Sequence, residues 1–171
     1  MGVLAGRRVF RVCRARYARL DGAGARAVGG RWNSPGRAVV YMAESIALAV
    51  LENLVHMTRQ DFPRGCVCVA AVLPDGFGMI HEKDLRKDPA LQDLSTERLG
   101  DSWLDSRTSA VLQVPSFVIA GEHNFLLNPA HPEFARIQVE PPAIFHLMNG
   151  SLIDHSTRGE PGAKEDPPGV Y

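Results

Sequence analysis

Apolar and polar positions along the chain predict alternating short strands and helices, not one repeating unit. Residues 8–14 mix basic and apolar side chains with a weak period of two, which predicts a strand. Residues 20–30 carry glycines at 22, 24, 29 and 30 and read as a loop. A short β-rich apolar run follows at 38–43. Glu44 and Ser45 then mark a helix start, the helix spans 46–57, and Phe62-Pro63 closes it. On a helical wheel Ile46, Ala47, Leu48, Val50, Leu51, Leu54, Val55 and Met57 cover a wide apolar arc, while Ser45, Ala49, Glu52, Asn53, His56 and Arg59 share the rest. Residues 67–73 predict a strand stopped by Pro74-Asp75-Gly76. The charged stretch 81–99, interrupted by Pro89, predicts a surface segment with at most short helices. A helix capped by Asp101 or Ser102 is expected over 101–113. Three further short strands are expected at 116–120, 124–127 and 136–139.

Composition limits the fold to an ordinary water-soluble core. At 171 residues, 45% hydrophobic and 22% charged, the chain is long enough for one unstapled domain. We read that domain as 1–148. Residues 149–171 are rich in proline, glycine and scattered charge, and a disordered tail is expected there. No run reaches membrane-spanning length, and the N-terminus lacks a signal-peptide core, so a cytoplasmic location is expected. Three cysteines, including a Cys66-x-Cys68 pair inside a strand, fit small buried hydrophobes in a reducing compartment.

Charge changes the picture. The net charge is zero, yet nine arginines and one acid, Asp21, fall between residues 7 and 37. An anionic partner near this segment and a solvated arginine-rich strand face explain that bias equally well.

The chemistry-bearing residues cluster nearby. Arg31 follows Gly29-Gly30, where a bare backbone can approach a ligand and a guanidinium can grip phosphate oxygens in a two-pronged fork. The commoner role of such a residue is a turn arginine. Glu52 borders the apolar face of its helix with His56 one turn later, either as a surface pair or as a carboxylate aimed into a cleft. Tyr41 ends a strand, as core or as a ring offered to a flat heterocycle. Ser116 opens an apolar run without a Gly-x-Ser-x-Gly elbow, which argues against a hydrolase triad and fits a turn serine. His123 and His131 lack the spacing of zinc enzymes, so no metal is expected.

Taken in order, Gly29-Gly-Arg-Trp-Asn-Ser-Pro-Gly36, Val39-Val-Tyr-Met-Ala-Glu-Ser45, Ala49-Val-Leu-Glu52, Val114-Pro-Ser116, Glu122-His-Asn124 and Leu127-Asn-Pro-Ala-His131 resemble the RES domain family over about residues 7–146. The resemblance implies an α+β single domain similar to ADP-ribosyltransferases, with mixed or antiparallel sheets and flanking helices. It implies the toxin half of a bacterial toxin–antitoxin pair that destroys NAD by hydrolysis or phosphorolysis, with protein ADP-ribosylation and a silent antitoxin-binding module as alternatives. Arg31, Glu52 and Ser116 fall on the family's eponymous arginine, glutamate and serine. The resemblance implies that Tyr41 lines the same substrate pocket and that Asn124 matches a further polar position of it. NAD is then a substrate, no cofactor is needed, and the partner is an Xre-like helix-turn-helix antitoxin that carries any DNA contact. The family's Asp-x-Arg-Leu-like close is replaced here by residues 146–151, His-Leu-Met-Asn-Gly-Ser.

Overall fold

The computed structural model describes residues 6–55 and 65–145. In chain order the elements are β1 (Gly6–Arg14), α1 (Ala23–Val28), β2 (Val40–Ala43), α2 (Ile46–Leu54), β3 (Cys66–Pro74), β4 (Met79–His81), α3 (Glu82–Leu85), α4 (Thr96–Ser106), β5 (Val111–Pro115), β6 (His123–Leu127), β7 (Gln138–Val139) and β8 (Ala143–Ile144), with 3₁₀ turns at Ala15–Tyr17 and Pro132–Arg136. Among the described residues the strands form one sheet in the order β4-β5-β6-β2-β1-β3-β7, with β8 also pairing β3. Every pairing is antiparallel except β4 with β5. This is the expected α+β class.

Strand alternation sends side chains to two cores. Val40 and Met42 of β2 join Phe125 and Leu127 of β6 on one face. Tyr41 and Leu126 join Trp32, Leu99 and Trp103 on the other, where α4 packs. A third cluster around Val12, Ala43, Leu48 and Ala49 seats α2 against β1 and β2.

Four sequence expectations are corrected. The loop at 20–30 contains α1, whose cap is Gly22 in the left-handed region, with the preceding Asp21 accepting from the Ala23 N–H at 3.0 Å in a local turn. The helix expected over 101–113 lies at Thr96–Ser106. Ser95 is its cap, with its Oγ accepting from the Arg98 N–H, and Arg107, at φ 50°, ends it in the left-handed region. The β-branched run that follows is β5. Residues 116–120 form a turn, because Pro115 ends the strand and the Ser116 hydroxyl accepts the N–H groups of Val118 and Ile119. The expected strand at 136–139 shrinks to the two residues of β7, since a 3₁₀ turn occupies Pro132–Arg136.

Helix α2 starts at the expected Ser45 cap, but its buried stripe is not the apolar arc. Leu48, Ala49 and Asn53 face the protein, whereas Ile46, Leu51, Leu54 and Val55 are 37–58% exposed. The helix has more apolar surface than the sheet can cover. Its expected extension to 57, its closure at Phe62-Pro63, His56, Arg59 and the tail at 149–171 lie outside the described residues.

Candidate active site

The acidic wall of the site is built from α2. The Ser45 Oγ accepts from the Leu48 N–H at 3.0 Å and fixes the start of the helix. At the other end the buried Asn53 amide donates to the Val12 carbonyl at 2.8 Å and the Ala49 carbonyl at 2.7 Å, tying the last turn to β1. Glu52, half-buried between these anchors, has little freedom. Its Oε1 accepts from the Ser116 hydroxyl at 2.9 Å and from the Asn124 amide at 2.6 Å. The Ser116 oxygen also accepts two backbone N–H groups, from Val118 at 3.0 Å and Ile119 at 3.1 Å. Its lone pairs are thereby occupied and its single proton points at Glu52.

The arginine wall is built differently. Gly29, at φ 77°, ends α1, and Gly30 pairs with Asn33 in an isolated bridge that puts Arg31 and Trp32 at the tip of a tight turn. Asn33 is fully buried. Its amide donates to the carbonyls of Ala25, Ser34 and Arg37 at 3.0–3.2 Å. Its Oδ1 accepts from the Tyr41 hydroxyl at 2.8 Å, and that hydroxyl accepts from the Trp32 N–H at 3.1 Å. Asp101 of α4 holds the Ser34 N–H at 2.9 Å and the Ser34 hydroxyl, and Arg37 pairs with Asp105 at 2.7 Å. Gly100 lets α4 touch the turn directly, since a Cβ there would overlap the Trp32 carbonyl oxygen. The turn backbone is fixed, yet the Arg31 guanidinium has no carboxylate partner among the described residues. It rests 4.2 Å from the centroid of the Phe117 ring.

Both walls border one cavity of about 390 Å³, lined among others by Arg11, Arg31, Tyr41, Glu52, Phe117 and Asn124. That volume falls in the range of small-molecule sites. Of the five residues singled out from the sequence, Arg31, Tyr41, Glu52 and Asn124 meet there. Ser116 does not line the cavity and stands behind Glu52. The histidines do not converge. His123 lies 3.6 Å from Glu44, and the His131 Nδ1 accepts from the Glu133 N–H. Among the described residues no histidine, cysteine and carboxylate group could hold a metal ion.

Sequence reasoning missed Arg11. It is 8% exposed, lines the cavity, and its buried Nε has no hydrogen-bond partner. It lies beside Cys13, whose thiol burial pushes above its ordinary range. A buried guanidinium with an unpaired donor is costly unless an anion completes it. The available signal was an arginine at an inward position of an alternating strand.

The RES domain model matches residues 8–148. The chain belongs to the RES domain family. Curated RES relatives include a protein named Toxin Res from Pseudomonas putida, 39% identical over 72% of this chain and 88% of its own length. Another is the Prs ADP-ribosylating toxin of a Sphingobium strain, 38% identical over 67% of this chain and 74% of its own length. Among solved structures, the M. tuberculosis MbcT–MbcA toxin–antitoxin complex contains a chain of similar fold, with a TM-score of 0.60 at 17% identity, covering 84% of this chain and 86% of that one. The α+β sheet described above is therefore a fold that this chain shares with a chain of that complex. No described helix is long and apolar enough to cross a membrane.

Proposed function

We propose that this RES protein is a toxin that depletes NAD by breaking the bond between nicotinamide and ribose. The observation that carries the reading is a glutamate held rigidly by two donors, on the same cavity as Arg11, whose buried Nε has no partner, and Arg31, whose guanidinium rests on the Phe117 ring. NAD needs both features. Its diphosphate is an anion suited to Arg31 and Arg11. Its nicotinamide is already a cation, so it leaves with the C–N electron pair and requires no general acid.

The site then has one charge to stabilise, the oxocarbenium-like ribose. Glu52 does this as a carboxylate oriented before the reaction begins. One oxygen is engaged by Ser116 and Asn124, which leaves the other to face the ribose. Ser116 and Asn124 thus act through Glu52. Tyr41 lends its ring to the cavity wall and its hydroxyl to the Arg31 turn. An acceptor oxygen attacks the anomeric carbon as nicotinamide departs, and its proton passes to Glu52 or solvent. Water gives ADP-ribose, and phosphate gives the phosphorylated sugar.

Protein ADP-ribosylation is the second reading, favoured by the name of the Sphingobium relative. The exposed apolar face of α2, next to the Val55 edge of the cavity, offers area to a protein partner, which we take to be an Xre-like antitoxin. Mass spectrometry of products formed from NAD, with and without inorganic phosphate, tests the reading. Free nicotinamide with ADP-ribose or its phosphate is the expected result. ADP-ribose found only on protein would favour the second reading, and intact NAD would refute both.

A further inference from the structure

Phe117 has no evident structural reason to be where it is. It is a large aromatic, 56% exposed, that lines the cavity, and its one ring partner among the described residues is Trp32, tilted at 6.3 Å between centroids. Its position is nonetheless fixed. It follows Ser116, whose oxygen accepts the N–H groups of Val118 and Ile119 and whose proton goes to Glu52. The turn carrying the ring is thus pinned to the same carboxylate oxygen that orients the acid. Its face already receives a planar cation, the Arg31 guanidinium at 4.2 Å.

We propose that Phe117 is the residue that recognises the positively charged nicotinamide ring and makes the site prefer oxidised over reduced dinucleotide. The inference rests on the NAD-cleaving reading above. When the diphosphate arrives, Arg31 turns to it and leaves the ring face. A pyridinium is also a planar cation and takes that place, drawn by the quadrupole of the ring. The location selects nicotinamide over adenine. The ring is one residue from the hydroxyl bonded to Glu52, and nicotinamide is attached to the ribose that Glu52 faces. Tyr41 is less suited to this task, because its hydroxyl is tied to Asn33 and Trp32 and the residue is only 7% exposed. Bond cleavage turns the pyridinium into neutral nicotinamide, so the attraction vanishes with the reaction and the product leaves easily. The contact acts on binding of the ground state and contributes little to the chemical step.

The test is a calorimetric titration of Glu52→Gln, which prevents turnover, and of the double variant Glu52→Gln with Phe117→Leu, with NAD⁺, NADH and ADP-ribose. All three ligands carry the diphosphate, so any indirect effect through Arg31 is common to them. The expected result is about tenfold weaker binding of NAD⁺ by Phe117→Leu, with NADH and ADP-ribose changed by about twofold at most. Phe117→Trp should restore the preference for NAD⁺. Equal weakening for all three ligands, or an unchanged NAD⁺ to NADH ratio, overturns the proposal. Because the ring is mostly exposed, the variant should melt with the parent, which a thermal scan verifies. Nicotinamide release by the wild-type enzyme separates the two claims. If it is absent the NAD-cleaving reading fails, and if it is present with an unchanged ratio only the role of Phe117 fails.

Discussion

The two walls of the cavity immobilise different things. On the α2 side the charged group itself is held, since Glu52 accepts from Ser116 and Asn124 and sits between helix anchors at Ser45 and Asn53. On the Arg31 side the backbone is held, by Asn33, Tyr41, Gly100 and Asp101, while the guanidinium keeps only a ring contact. The contrast matches two physical tasks. A charge that stabilises a transition state must be oriented in advance, because reorganising it during the reaction would cost the barrier it should lower. A group that grips a flexible diphosphate benefits from a fixed base and an adjustable head.

That contrast can be broken at each wall. The largest effect is expected for Glu52→Gln. It should lower kcat for NAD cleavage at least about 100-fold, roughly 3 kcal/mol in the barrier, with an unchanged melting temperature. Steady-state kinetics and a thermal scan check both parts. Next comes Asn33→Ala, which removes the partner of the buried Tyr41 hydroxyl and of three carbonyls. A loss of about 2–3 kcal/mol in stability is expected, read by urea unfolding. The equivalent change at Asn124 should leave stability far less affected, because its partner is a half-buried carboxylate.

Ser116→Ala sharpens the comparison. Losing one charge-assisted hydrogen bond to Glu52 should lower kcat about tenfold, a larger change than the rise in KM from loosening the Phe117 turn. A serine that touched the substrate equally in ground and transition states would raise KM instead. The smallest effect belongs to the outer clamp of the Arg31 wall. The hydrogen bond from Arg37 holds the Asp105 carboxyl below its ordinary value of 3.8. A depressed acid contributes stability above its unfolded value and loses that contribution as pH falls through the folded one. The pair is mostly exposed, so Asp105→Asn should cost only a few tenths of a kcal/mol at neutral pH and nothing well below pH ~3.8. Urea midpoints at two pH values measure the difference.

Much of this arrangement was legible in the sequence where local pattern and long-range contact agree. Alternation located β1, and a run of apolar residues located β2 and β3. Ser45 announced the start of α2. Motif order placed Arg31, Tyr41, Glu52 and Asn124 on one cavity. What stayed hidden depends on distant partners. Asp101 looks like a helix cap by its neighbours in sequence, yet it spends its carboxylate on Ser34, sixty-seven residues away. The wheel of α2 counts apolar residues but cannot say how wide a strip the sheet covers, so Asn53 is buried and Val55 is not. Arg11 reads as one of nine arginines in the first thirty-seven residues until burial separates it from the others. The β4 and β8 strands, three and two residues long, are too short for any period to register.

A structure of the Glu52→Gln protein with NAD bound tests most directly whether one dinucleotide spans both walls. The expected density has the diphosphate against the Arg31 guanidinium and the nicotinamide-bearing ribose against position 52. Dinucleotide lying outside the cavity, or reaching one of these residues without the other, would contradict it.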